Sequence, residues 1–118
     1  MGQFSVQFEV GDLQGTRFEQ VVALVDTGAA YLWLPREVLD RLGVAPSGSR
    51  EFELADGRVI EYGMAQVMMR FQGESWAVPC IIGNTGADAL LGAVPLENFA
   101  LAIDPVNQRL IPLRMLLK

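Results

Sequence analysis

Residues 21–25 are five apolar side chains in a row, Val-Val-Ala-Leu-Val, and the next three are Asp26, Thr27 and Gly28. A short apolar run that stops at a charge and a glycine reads as a strand buried on both faces, and so central in a sheet, which delivers a carboxylate into a tight turn. Asp-Thr-Gly is ordinary turn chemistry on its own. The sharper possibility is a reactive Asp26 held against a hydrophobic floor, and the remaining residues bear on that choice.

The flanking sequence is strand-like. Residues 3–10, QFSVQFEV, alternate with Phe4, Val6, Phe8 and Val10 on one face, and Asp12 to Gly15 supply a turn into a second strand, Arg17 to Val25. Tyr31 to Leu34 read as a short third strand, and Pro35 to Gly43 as the one convincing helix, with Pro in its first turn, Val38, Leu39 and Leu42 on one face and Gly43 as its stop. Val44 to Ser49 read as a loop. Glu51–Ala55 and Arg58–Phe71 flank Asp56-Gly57, a strong hairpin signal, and Gly63 suggests a bulge or bend in the long second arm. Further short strands are expected at Trp76–Ile82, Ala89–Gly92, Leu101–Ile103 and Leu110–Leu113, with one helical turn possible at Pro95–Phe99. Strands dominate without a βαβ rhythm. The expectation is an all-β, barrel-like fold with one short α-helix, residues 1–118 forming a single domain.

Composition narrows the chemistry. The chain is 51% hydrophobic and 19% charged with a net charge of −5, so it is a folded globule rather than a disordered segment. Its eight Arg and one Lys are scattered singly, which gives no cationic stripe for nucleic acid or anionic lipid. No apolar run is long enough to span a bilayer, and the alternating N-terminal residues do not resemble a signal-peptide core. The expectation is a soluble, cytoplasmic protein, although a chain trimmed of an anchor or a larger domain would look the same. There is no histidine, which removes Ser-His-Asp triads, Cys-His pairs and His-ligated metals. Cys80 stands alone in an apolar stretch and reads as a small buried hydrophobe. Carboxylates, hydroxyls, Tyr and Arg remain as catalytic groups, and no cofactor or metal is expected.

Two stretches look alike. Leu24-Val25-Asp26-Thr27-Gly28 and Ala89-Leu90-Leu91-Gly92-Ala93 are both apolar strands that end at a glycine and are followed by Pro and a helical turn. With the paired N-terminal strands, the Asp-Gly hairpin about thirty residues on and the late Ile103-Asp104-Pro105 with Arg109-Leu110, this order resembles the retropepsin-like aspartic proteases over nearly the whole chain, most of all their small single-domain bacterial and archaeal members.

That resemblance implies a closed acid-protease barrel with a β-hairpin flap, and an aspartic endopeptidase acting on peptide or protein substrates. In such enzymes two aspartates hold one water, one acting as base while the other, protonated, polarises the peptide carbonyl. Two carboxylates so close cannot both ionise, so their apparent pKa values split and belong to the pair. Asp26 is then the catalytic carboxylate, Thr27 bonds across to the partner loop, and Gly28 lets backbone approach the carboxylates. Ala29 and Ala30 fall beside the substrate, and Ala30 stands where viral members usually carry a carboxylate that contacts substrate backbone. The Glu53-to-Val59 hairpin corresponds to the flap, with Ala55, Asp56, Gly57 and Arg58 at the substrate-facing tip.

One chain supplies one Asp-Thr-Gly, so the resemblance implies a homodimer with the site on its two-fold axis. Residues 3–10 and 109–117 are apolar edges that a partner could cover. Asn84-Thr85-Gly86 imitates a second such motif but carries Asn and leads into polar residues, so it reads as a turn; Asp88 and Asp104 read as turn and strand-end residues. Two other readings compete. A dimeric peptide-binding or scaffold domain of the same fold would need no intact Asp-Thr-Gly. An aspartyl-phosphate phosphatase would want a second acid where Gly28 stands, and a parallel α/β pattern.

Overall fold

The computed structural model describes residues 3–114 of the 118-residue chain. Strand β1 (Ser5–Gly11) pairs antiparallel with β2 (Phe18–Val25) over its whole length, from Ser5 opposite Leu24 to Gly11 opposite Phe18. Val21, Ala23 and Val25 point into the core, as do Phe8 and Val10. Val22, however, is 56% exposed, so β2 is not buried on both faces as its composition suggested. An apolar run specifies a strand, but neighbouring elements decide which of its faces is covered.

Strand β3 (Leu32–Pro35) sends Leu32 and Leu34 into the core and leaves Tyr31 and Trp33 half-buried on the other side. Pro35 is extended (φ −66°, ψ 150°) and caps helix α1 (Arg36–Leu42) from outside rather than opening it. Val38, Leu39 and Leu42 form the buried face as expected. Gly43 ends the helix at φ +72°, its N–H donating to Asp40 O while the Val44 N–H reaches Leu39 O, a paired closure that wants glycine.

Strand β4 (Gly48–Glu53) starts inside the segment that reads as a loop, because Gly48 and Ser49 pair with Met64 and Gly63 of the long β5 (Val59–Phe71). The ladder runs through Gly63 without an inserted residue, so there is no bulge there. At Met64, β5 passes from β4 to β6 (Glu74–Gly83), and its far end also pairs with β1 at Met68–Arg70. Strand β7 is only Leu90–Leu91, parallel to β2 and antiparallel to β3. A second helix, α2 (Ala93–Asn98), was foreshadowed only as one turn; six residues are too few to show a helical period, and its Pro95 sits in the first turn, where no N–H is needed. Strands β8 (Leu101–Asp104) and β9 (Arg109–Pro112) form a separate ribbon.

The sheet order is β1-β2-β7-β3-β6-β5-β4, and the β1–β5 pairing joins six of these strands in a circuit. The fold is all-β, with the circuit closed through short links rather than as a strict barrel. Residues 3–10 are largely committed to β2, although Ser5–Phe8 keep one edge free of ladder pairing among the described residues. Of the 109–117 edge, Arg109–Pro112 pair with β8 and residues 115–117 lie outside the described residues. Cys80 is fully buried between strands, and burial pushes its thiol up to about 12, so it is a packing residue. No helix among the described residues is long and apolar enough to cross a membrane.

Candidate active site

Where β2 ends, the backbone is caught by the strand lying beside it. The Leu24 N–H donates to Ala89 O (3.1 Å) and the Asp26 N–H to Leu91 O (3.0 Å). Within the turn the Ala29 N–H returns to Asp26 O (3.1 Å), and the Gly28 N–H donates to Asp26 Oδ1 (2.9 Å), fixing the carboxylate's rotamer. A β-carbon on Gly28 would stand 3.1 Å from that same oxygen, so a side chain here would crowd the carboxylate.

The outgoing side is held as firmly. The N–H groups of Gly92, Ala93 and Val94 donate to Tyr31 O (3.1 Å), Ala29 O (3.0 Å) and Ala30 O (2.7 Å). The first turn of α2 thus spends its otherwise unpaired donors on the Asp26 loop. The resemblance between the two apolar-to-glycine stretches therefore has a structural content: one presents the loop and the other clamps it.

Asp26 and Ala29 are half-buried, while Thr27, Gly28 and Ala30 are exposed. The Thr27 hydroxyl makes no hydrogen bond among the described residues. Asp26 and Thr27 line a cleft of about 510 Å³ whose walls are Val25, Leu96, Leu101 and Ile103, with Gln3, Phe4 and Pro105 at the edge. That cleft has an apolar floor and one carboxylate at its rim. Neither Ala29, Ala30 nor the hairpin tip lines it.

The hairpin tip is built by a three-residue loop. The Gly57 N–H donates to Leu54 O (2.9 Å) and the Leu54 N–H to Arg58 O (2.7 Å), with Gly57 at φ +87°. This is a turn followed by a left-handed glycine, where the sequence alone suggested a two-residue Asp-Gly turn. Asp56 accepts from the Arg58 N–H (3.0 Å) and pairs with Arg58 Nε (2.7 Å), while Ala55 to Arg58 are all exposed. Below the tip, Phe52 and Tyr62 meet Tyr31 and Trp33 of the segment leaving the Asp26 loop. Tyr31 and Trp33 were legible as part of a short strand, but nothing in the sequence pairs them with Phe52, Tyr62 or Arg50.

The imitating motif is a turn. Ala87 N–H donates to Asn84 O (3.0 Å), Gly86 lies at φ +80°, and its N–H reaches both carboxylate oxygens of Glu37 (3.1 Å each). Hydrogen bonds from its own backbone N–H and that of Gly86, aided by the Arg41 charge, hold Glu37 below the usual carboxylate range. Asp104 likewise closes the β8–β9 turn, accepting from Val106, Asn107 and Arg109.

A sheet that presents Asp-Thr-Gly on one strand end and clamps it with a second Leu-Leu-Gly strand defines a retropepsin-like aspartic protease domain. The chain belongs to the family described as "gag-polyprotein putative aspartyl protease", which it matches over residues 14–98. Solved structures share the fold at low identity. EIAV protease in complex with the inhibitor HBY-793 is 16% identical with a TM-score of 0.61, over 82% of this chain and 88% of that one. A retropepsin-like aspartic protease from Rickettsia conorii is 18% identical with a TM-score of 0.59, over 88% and 89% of the two chains. The Simian Foamy Virus (mac) protease is 18% identical with a TM-score of 0.52, over 79% and 96%. No curated protein matches this sequence.

Proposed function

We propose that the chain is an aspartic endopeptidase whose site is completed by a second copy, with one Asp26 from each protomer. The observation that carries this reading is the clamped loop: Asp26 is fixed on its backbone by Leu91 and on its side chain by the Gly28 N–H, yet remains half-exposed. Such preorganisation serves chemistry better than stability, since a turn aspartate needs no second strand to hold it.

In the dimer one Asp26 carboxylate takes a proton from the shared water, whose oxygen attacks the peptide carbonyl carbon. The partner carboxyl, protonated, donates to the carbonyl oxygen. Collapse of the tetrahedral adduct with proton transfer to the amide nitrogen breaks the C–N bond. Exposed Thr27, with its hydroxyl unpaired among the described residues, is suited to bond across the two-fold axis. The Ala55–Arg58 tip serves as the flap that excludes water.

Incubation with a peptide library tests the reading. The native protein should cleave, and Asp26→Asn, isosteric but unable to carry the shared proton, should lose at least about 10³-fold in rate while keeping its fold. Cleavage by purified Asp26→Asn at the native rate would remove Asp26 from the chemistry. Saturable peptide binding without cleavage by the native protein would assign a dimeric peptide-binding domain instead.

A further inference from the structure

The β4–β5 hairpin has two chemically distinct faces. Register places Glu51 opposite Glu61 and Glu53 opposite Val59 on one, and Arg50 opposite Tyr62 and Phe52 opposite Ile60 on the other. The second face meets Tyr31 and Trp33, with ring centroids 5.0 Å apart for Trp33–Tyr62 and 6.4 Å for Tyr31–Phe52. All four aromatic residues are half-buried rather than sealed.

Arg50 enters this aromatic box. Its Nη1 donates to the Tyr31 hydroxyl (2.5 Å), and its guanidinium carbon lies 5.8 Å from the Tyr31 ring centre. No carboxylate among the described residues pairs with it, whereas Arg41, Arg58, Arg70 and Arg109 each have one. The nearby acids lie across the hairpin, where Glu61 accepts from Ser49 (2.7 Å). A guanidinium offers five donors in a fork that fits a carboxylate, and a single phenol leaves most of them free.

The box is continuous with the loop that carries Asp26. Leu24, Leu90 and Trp33 are register partners across β2, β7 and β3 and form a half-buried apolar row on the side away from the core. At the end of that row Asp26 and Tyr31 flank the Leu91-Gly92 backbone from opposite sides, bonded to Leu91 O and from Gly92 N respectively. Two strand spacings separate them, roughly 10 Å, which an extended peptide covers in about three residues.

We propose that Arg50, in the Tyr31/Trp33/Phe52/Tyr62 box, is a specificity-determining residue that takes an acidic side chain about three residues from the scissile bond. This rests on the protease reading for the bond that is cut, but not for the binding of the acid. Tyr31 is the positioning residue, since its hydroxyl aims the guanidinium and yields to the incoming carboxylate.

Octapeptides with a Leu-Phe centre, and Glu or Gln at each flanking position in turn, provide the test. With native protein the Glu peptide at one flanking position should exceed its Gln partner in kcat/KM by about tenfold, as a charge-assisted fork would give. Arg50→Gln should bring that ratio near one, and Arg50→Lys should restore part of it. The same ratio should appear in the Kd of the Asp26→Asn protein, read from tryptophan fluorescence or by calorimetry. Arg50-dependent Glu preference in binding without any cleavage would uphold this proposal and overturn the peptidase reading. Cleavage with equal rates on Glu and Gln peptides, a preference that survives Arg50→Gln, or no binding of any Glu peptide would overturn the proposal.

Discussion

Gly92 lies so close to Ala29 that a β-carbon on the glycine would stand 2.5 Å from the Ala29 carbonyl oxygen, and equally close to that of Tyr31. Both are backbone atoms, and Gly92 N–H itself bonds Tyr31 O (3.1 Å). A side chain at position 92 must therefore push the Asp26 loop away from the strand that holds it.

Gly92→Ala should cost about 3 kcal/mol, at the upper end of ordinary overpacking, because the obstructing atoms are backbone and cannot rotate aside. Misplacing the loop by an ångström should also lower peptide cleavage by about 10²-fold. Urea unfolding with an unchanged m-value and a reduced midpoint checks the first part, and kcat/KM on the best library peptide checks the second. A neutral Gly92→Ala would mean the loop and β7 are not locked together.

Gly57→Val should separate turnover from stability. Gly57 sits at φ +87° with open space around it, so the substitution is opposed by backbone conformation alone. The local cost is about 1–2 kcal/mol and falls on an exposed tip, where partial opening relieves it. Cleavage should drop several-fold while the unfolding midpoint barely moves. Equal activity would return residues 55–58 to ordinary surface structure.

The β5–β6 turn carries a different strain. Gln72 and Gly73 have φ of +51° and +82°, the pattern of a two-residue hairpin that favours Asn-Gly. Gln72→Asn should stabilise the fold by about 0.5 kcal/mol without touching the candidate site. A lowered midpoint in thermal or urea unfolding would contradict this reading of the turn.

Stability should fall at both ends of the pH scale for separable reasons. Asp12 is held low chiefly by the Thr16 hydroxyl, Asp104 by the Asn107 side chain, and Glu37 by backbone N–H groups. Groups depressed in the folded state contribute stability above their unfolded pKa and lose it as pH falls through the folded one, so the loss begins below about pH 5. Asp104→Asn should flatten the acid limb. Cys80 has the opposite sign: its folded value of about 12 exceeds the unfolded one, so its contribution is complete below about pH 8 and disappears as pH rises towards 12. A thiol reagent at pH 8 should leave Cys80 untouched until urea unfolds the chain.

How much was legible in advance follows from the range of each signal. The Asp26 loop, the α1 face of Val38, Leu39 and Leu42, and the hairpin around Asp56-Gly57 all announce themselves within a few residues. The start of strand β4 did not, because Gly48 and Ser49 are strand only through Met64 and Gly63. The exposure of Val22 and the meeting of Arg50 with Tyr31 depend on chain segments far away in sequence. Helix α2 was legible only as a single turn at Pro95–Phe99, because its first-turn donors are satisfied by Ala29 and Ala30, partners that no local pattern reveals.

One chain contributes one clamped Asp26, and its only sequence imitation, Asn84-Thr85-Gly86, is tied to Glu37. Thr27 is exposed with an unpaired hydroxyl among the described residues, beside an apolar cleft of about 510 Å³ that a second copy could cover. A two-fold axis through this loop would bring each of these features against itself. Activity should then depend on concentration, falling as the protein is diluted through its dimer dissociation constant. Mixing in about a tenfold excess of Asp26→Asn protein should lower the native activity to roughly a tenth, because most native chains would pair with a chain that lacks the second carboxylate. Thr27→Val should weaken association, seen as a shift of the dilution curve to higher concentration. Full specific activity in a sample that sedimentation shows to be strictly monomeric would rule out a site shared between two protomers.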